Sequence, residues 1–129
     1  MMKKILISSA LLFVIDILWL KFYMTEKYDK MIYEIQNSKL KIDIVSAGLS
    51  YFTLCFALNY FVLPYVKTND YRLISHSFMF GLVTYAVYDF TCGAIFEKWD
   101  KKLMIIDTLW GGILYMITNY LTNMLYPSF

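Results

Sequence analysis

Four long apolar segments, separated by short polar connections, organise this chain. They cover residues 5–24, 44–66, 73–96 and 103–126. Each contains about 20 residues or more, the length at which a helix crosses a hydrocarbon core of about 30 Å. A membrane β-barrel would need strict alternation of apolar and polar positions, which these segments lack. The pattern therefore predicts an all-α, polytopic integral membrane protein with four transmembrane helices in one compact bundle.

The polar connections are short, so we predict a single four-helix transmembrane domain over residues 1–129. Residues 67–72 and 97–102 each allow only a tight turn between antiparallel neighbours. The longest connection, residues 25–43, carries apolar side chains at the spacing of one helical face. These are Tyr28, Met31, Ile32 and Ile35. The spacing fits a short interfacial helix, and a surface loop is the alternative.

The composition supports a membrane location. Hydrophobic residues make up 60% of the chain and aromatic residues 19%, and the mean hydropathy is +0.53. A soluble domain of this length has no core large enough for so much apolar surface. The net charge of +2 is too small to indicate nucleic-acid binding, so the expected partner is the lipid bilayer, and homo-oligomerisation stays open. We expect packing roles for Cys55 and Cys92, which lie in different spans.

The charges flanking the segments predict a topology. The first segment follows Lys3 and Lys4 as a signal peptide would, but no small-residue cleavage site follows it, so we expect a retained helix. The connections at 25–43 and 97–102 carry more lysines than the opposite side of the bundle. The positive-inside rule then places these two connections in the cytoplasm and both termini outside.

Three aspartates interrupt the apolar segments. Asp16, Asp89 and Asp107 each cost roughly 2.5–3.5 kcal/mol at the centre of a transmembrane helix, so an intramembrane carboxylate suggests a functional site. Because successive helices alternate in direction, the three lie roughly 12, 10 and 6 Å below the same membrane face. We therefore expect them to turn inward and meet in one pocket that opens toward the longer connections. If the protein binds a metal or another cation, these three carboxylates are the expected ligands.

Aromatic and small residues accompany these acids at helical spacing. Trp19 and Trp110 each follow an aspartate by three positions, so each shares the face of its acid. The candidate intramembrane polar site is Asp16, Trp19, Tyr85, Tyr88, Asp89, Thr91, Asp107, Trp110 and Gly111. Trp99 is expected in the aromatic belt at the membrane interface. His76 lies near the opposite face, where a capping or interfacial role is expected.

The same residues carry a family resemblance. Asp16 and Trp19 form an Asp-x-x-Trp motif, Tyr88 to Thr91 read Tyr-Asp-x-Thr, and Asp107 to Gly111 read Asp-x-x-Trp-Gly. In this order the motifs resemble a family of small predicted bacterial multi-pass membrane proteins catalogued as domain of unknown function 2177. The resemblance covers essentially the whole chain and implies the four-helix architecture and the polar site, but no activity. Cys92 stands where that family usually has asparagine.

Three classes of function fit these observations. The first is a membrane protein that binds or moves a cation, a proton or a small amphiphile through its aspartate cluster. The second is a membrane-embedded enzyme acting on a lipid or isoprenoid substrate, with the acids holding a metal or transferring protons. The third is a structural or assembly protein, since intramembrane polar residues also hold helices together. Whether the protein is an enzyme is left open by the sequence.

Overall fold

A computed structural model of the chain describes residues 2–65 and 72–125, and this part is helical without any strand. Helix α1 spans Met2–Gln36, and helix α2 spans Ile44–Tyr65. Helix α3 consists of a π-helical turn, Leu73–Phe78, and an α-helix, Met79–Ile95. Helix α4 spans Lys101–Leu125.

Three of the helices are long and apolar enough to cross a membrane: α1, α2 and the Ser75–Ile95 part of α3. Helix α4 has 25 residues but is not among them. The reason lies in its buried face, which is rich in polar side chains. The buried polar side chains other than Tyr115 are Asp107, Thr108, Thr118, Asn119, Thr122 and Asn123. The prediction of a multi-pass membrane protein is thus confirmed.

Helix α1 differs from the prediction, which ended its span at residue 24. The helix continues through a π-helical turn, Leu20–Met24, into Thr25–Gln36, and it ends at Asn37, whose φ of 58° is tolerated well by asparagine. At 1.5 Å per residue α1 is roughly 50 Å long, well beyond a hydrocarbon core of about 30 Å. Met31 is buried in an apolar cluster with Met24, Trp99 and Leu103. The predicted apolar face therefore lies on an extension of α1 and packs against the bundle.

Helices α3 and α4 form the closest pair because glycine faces glycine at their crossing. A Cβ atom added to Gly81 would overlap the carbonyl oxygen of Gly111, and one added to Gly111 would overlap the Tyr85 ring. Small residues allow such close approach between membrane helices. This contact fixes Tyr85 over the middle of α4.

Helix α2 is attached firmly at one end only. Asp43 caps its first turn by accepting a hydrogen bond of 3.3 Å from the Ser46 N–H, and its bonds with Ser46 hold the pKa of that carboxyl below its usual range. Within Ile44–Ala57 no residue is buried. Further along, Leu58, Val62 and Leu63 are buried against Leu12, Leu114 and Tyr115. The start of α2, residues 44–50, is therefore largely exposed, whereas Tyr51, Leu54 and Cys55 pack partly buried against the bundle.

The end of the bundle that contains the start of α1 and the end of α4 has a polar core, which the sequence analysis did not single out. Lys4 Nζ donates a hydrogen bond of 3.0 Å to Asn123 Oδ1, and Ser8 Oγ donates one of 2.9 Å to Asn59 Oδ1. Asn119 Nδ2 donates to Ser77 Oγ at 2.5 Å. These bonds connect all four helices. His76 lies nearby, where its Nε2–H donates to the Phe61 carbonyl at 2.9 Å.

Candidate functional site

Asp16 is held by donors from two other helices. The Tyr51 hydroxyl of α2 donates a hydrogen bond of 2.6 Å to Asp16 Oδ2, and the Trp110 indole N–H of α4 donates one of 2.9 Å to Asp16 Oδ1. The side chain is only 5% exposed. Two neutral donors, one on each oxygen, are well suited to keeping a carboxylate in the bundle interior.

Asp89 of α3 and Asp107 of α4 form a pair of carboxyl groups. Asp89 is fully buried and accepts a long hydrogen bond of 3.5 Å from the Thr108 hydroxyl at Oδ2. The Asp107 carboxyl lies beside the carboxyl of Asp89 and the hydroxyl of Tyr28. Two carboxylates this close repel each other when both are ionised.

The two motif tryptophans stack between the acids. Trp19 and Trp110 have ring centroids 4.5 Å apart and an interplanar angle of 8°. Trp110 follows Asp107 in sequence but donates to Asp16 of the other motif. The indole N–H of Trp19 makes no hydrogen bond within the described residues. The stacked rings therefore join the two motifs across α1 and α4.

A cleft of about 570 Å³ opens beside these acids, against the loosely attached half of α2. Asp16 and Asp107 contribute its carboxyl groups. The aromatic residues of its wall are Tyr28, Tyr51, Tyr85, Tyr88 and Trp99. The remaining lining residues are Leu20, Ile32, Leu40, Ala47, Ser50, Thr53, Leu54 and Thr84. The cleft is therefore mainly apolar and aromatic, with two acids in its lining.

Most of the predicted site residues lie in or beside this cleft. Tyr85 and Tyr88 line it with the two acids, whereas Asp89, Trp19, Trp110 and Gly111 lie directly behind its wall. Thr91 is an exception, since its side chain is exposed and does not line the cleft. A residue two positions after Asp89 points away from it on a helix. The hydroxyl that reaches Asp89 comes from Thr108 on the neighbouring helix.

The prediction that Trp99 belongs to an exposed aromatic belt was wrong. Trp99 is only 4% exposed and lies between Tyr28 and Tyr88, with ring centroids 6.2 and 6.1 Å away. The extension of α1 covers it, and this cover was missing from a prediction that ended the first span at residue 24. Trp99 is therefore part of the cleft wall.

Sequence reasoning missed Tyr28, Tyr51 and Thr108, which contact the acids. Tyr51 carried a usable signal, because it lies eight positions after Asp43 and hence roughly 12 Å below the same face as Asp16. Thr108 had none beyond its position next to Asp107. Tyr28 was recognised only as part of an apolar face.

The acids do not form a metal-binding triad. Within residues 2–65 and 72–125, no group of three histidine, cysteine, aspartate or glutamate side chains is arranged to hold a metal ion. Asp16 is separated from the Asp89 and Asp107 pair by its own two donors. The expectation of three ligands around one metal therefore finds no support in the geometry.

Several polar atoms around the site lack a partner. In the part of the chain that the structure describes, Asp89 Oδ1 and the indole N–H groups of Trp19 and Trp99 are buried without a hydrogen bond. Buried polar groups of this kind are normally satisfied by protein, water or ligand. Trp99 also lines the cleft.

The comparisons with known proteins agree with this architecture. A family model described as "Predicted membrane protein (DUF2177)" matches residues 1–124. No curated protein and no solved structure matches the chain. Because the match covers both Asp-x-x-Trp motifs and all four helices almost to their ends, the chain belongs to this family of predicted multi-pass membrane proteins of unknown function.

Proposed function

We propose that the cleft binds a small amphiphile that carries a positive charge and reaches the site from the lipid phase, with α4 as the fourth transmembrane span. The observation that carries the proposal is the presence of two carboxyl groups in an open aromatic cleft. Among the described residues that line this cleft, none is basic. A charge opposite to that of Asp16 and Asp107 must then come from a proton or from the ligand.

The outer surface of α4 supports its place in the membrane. After Lys101 and Lys102 at its start, its polar side chains are on the buried face and its large exposed side chains are apolar or aromatic. These are Ile105, Leu109, Ile113, Tyr120, Met124 and Leu125. A helix that is apolar outside and polar inside fits a span of a bundle in which polar groups face one another.

The shape of the cleft supports a ligand from the lipid phase. The half of α2 that borders it, Ile44–Ala57, has no buried residue. Its outer side carries Ile44, Val45, Leu49 and Phe52, all more than 60% exposed. An acyl or aryl group that approaches along this side of α2 would therefore meet apolar side chains.

The chemistry of the lining supports a cationic head group. Tyrosine and tryptophan faces attract ammonium groups, by about 2 kcal/mol or more where water is excluded. Asp16 and Asp107 add the counter-charge at the end of the cleft. Protonation of the carboxyl groups would remove this attraction, so proton and cation compete for one site.

The proposal can be tested with octyltrimethylammonium as the probe and 1-octanol as the uncharged control. All three tryptophans of the chain belong to the site or its wall, so intrinsic fluorescence of the protein in nanodiscs reports on occupancy. We expect saturable binding of the ammonium compound, weakened at least tenfold by Asp107→Asn and weakened by acidification. A tenfold loss corresponds to about 1.4 kcal/mol.

His76→Ala provides the matched control, because His76 lies in the other half of the bundle and bonds the Phe61 carbonyl. Asp89→Asn should weaken binding more than His76→Ala does, since it changes the charge of the Asp89 and Asp107 pair. Equal binding of 1-octanol and the ammonium compound, or an Asp107→Asn variant with unchanged affinity, would overturn the proposal.

A further inference from the structure

A second concave surface lies outside the cleft, between the extension of α1 and the start of α4. It is a groove of about 620 Å³. Four lysines line it: Lys27, Lys30, Lys98 and Lys102. The apolar part of its lining is Tyr23, Met31, Leu103 and Ile106, and the acids are Glu34 and Asp100. This set of residues, the lysine groove, shares no residue with the cleft.

The lysine groove has an excess of positive charge. Asp100 caps the first turn of α4. Its Oδ1 accepts hydrogen bonds from the backbone N–H groups of Lys102 at 2.8 Å and Leu103 at 3.3 Å. Glu34 is the other acid among the described lining residues. Lys98 Nζ donates to the Glu34 backbone carbonyl at 3.1 Å, which joins the connection before α4 to α1. Lys27 lies 4.6 Å from the centre of the Tyr23 ring.

The position of the groove matches the boundary between hydrocarbon and head groups. Tyr23 lies where the apolar segment of α1 gives way to charged residues, and α4 begins at Lys101. The apolar lining residues Leu103 and Ile106 are therefore on the membrane side and the lysines on the aqueous side. An amphiphile with an anionic head matches both halves at once.

We propose that the lysine groove binds the head group of an anionic phospholipid. The lysine ammonium groups of residues 27, 30 and 102 hold the phosphate, and Leu103 and Ile106 contact the first carbons of an acyl chain. Clusters of basic residues beside a membrane helix attract anionic lipids in this way. This proposal concerns a different ligand and different residues from those of the cleft, so an experiment can refute one of the two proposals without affecting the other.

The test uses the purified full chain in an uncharged detergent and short-chain dioctanoyl-phosphatidylglycerol as the probe. Binding is followed by thermal unfolding and by native mass spectrometry. Dioctanoyl-phosphatidylcholine tests the need for net negative charge, and glycerol 3-phosphate tests whether a soluble phosphate suffices. We expect phosphatidylglycerol to raise Tm and to bind at least tenfold more tightly than either control compound.

The variant Lys27→Gln/Lys30→Gln/Lys102→Gln should lose this preference. The matched control is Lys21→Gln/Lys39→Gln/Lys41→Gln, which removes the same charge from the same side of the bundle but outside the groove. It should keep the wild-type preference. Lys27 and Lys30 are exposed, so single Lys27→Gln and Lys30→Gln variants keep the test available if the triple variant does not fold.

Three results would overturn the proposal. The first is equal binding of phosphatidylcholine and phosphatidylglycerol. The second is glycerol 3-phosphate binding as tightly as the lipid, because the groove would then serve a soluble phosphate. The third is an equal loss of binding in the groove variant and its matched control, because the lipid would then respond only to overall charge.

Discussion

The indole N–H of Trp110 donates a hydrogen bond of 2.9 Å to the carboxyl of Asp16, 94 positions away in the chain. Tyr51 occupies the other oxygen of the same carboxyl at 2.6 Å. A single buried side chain thus joins α1, α2 and α4. Tyr51 is also the residue through which the loosely attached half of α2 contacts this carboxyl.

Removal of either donor should destabilise the bundle, and in both variants an aromatic ring remains at the position. We expect Trp110→Phe and Tyr51→Phe each to cost about 1 kcal/mol, within the range measured for hydrogen bonds between membrane helices. Unfolding by titration with sodium dodecyl sulfate, at constant total detergent, would measure this. In an Asp16→Leu background the same two changes should cost at least 0.5 kcal/mol less, because the acceptor is gone. Equal costs in both backgrounds would show that the bonds contribute nothing.

Substitution of the glycines at the α3–α4 crossing should be costly. Gly81→Ala and Gly111→Ala introduce a methyl group that overlaps the Gly111 carbonyl or the Tyr85 ring, so we expect losses of about 1–3 kcal/mol in the same unfolding assay. Gly48→Ala is the matched control, because nothing lies within 4 Å of the added Cβ. It should be neutral or slightly stabilising. A Gly48→Ala variant as unstable as Gly81→Ala would contradict the proposed contact.

The polar core at the other end of the bundle should contribute to stability independently of the acids. Ser77→Ala removes the acceptor that lies 2.5 Å from Asn119 Nδ2 and leaves a buried amide unsatisfied, which costs about 1–3 kcal/mol. Ser9→Ala, on the partly exposed side of α1, is the control and should change stability by less than about 0.5 kcal/mol. Thermal melting in detergent would compare them, and similar melting temperatures for the two variants would argue against a structural role of the Ser77 bond.

The cap at Asp43 should give α2 a dependence on pH. Its pKa is lowered by bonds to Ser46, so the folded state favours the ionised form. The stabilisation is fully present above the usual aspartate pKa, roughly 3.9, and is lost as the pH falls through the lower folded value. The difference in Tm between wild type and Asp43→Ala should therefore stay constant above about pH 5 and shrink as the pH falls below about 4. The neutral cap in Asp43→Asn should give a difference from Asp43→Ala that does not change with pH.

The sequence predicted the membrane class well, because that class depends on the length and apolar character of single helices. It could not predict partners across helices. Trp110 was expected on the face of Asp107, three positions before it, and the structure bonds its indole N–H to Asp16 on another helix. Rotation of each helix about its axis sets such contacts, and the apolar segments carry little information about rotation because lipid and core are both apolar.

The pattern of apolar segments also could not predict the length of α1. The lysines and acids after residue 24 indicate the end of the hydrocarbon, and the pattern predicts a separate interfacial helix or a surface loop beyond it. The helix continues because its apolar face finds Trp99 and Leu103 to pack against. This contact also explains why Trp99 is buried, so the two errors share one cause.

The π-helical turn at Leu20–Met24 is a place where one residue of α1 can be deleted with little loss of stability. A π turn holds about one residue more than the α turn it replaces, because its hydrogen bonds run from i to i+5. The loss of one residue there would leave an ordinary α-helix, with Asp16 before it and Tyr28 after it still facing the same side. The same loss elsewhere in α1 would rotate every later side chain by about 100°. Differences of a single residue among members of the family are therefore expected to fall within this turn.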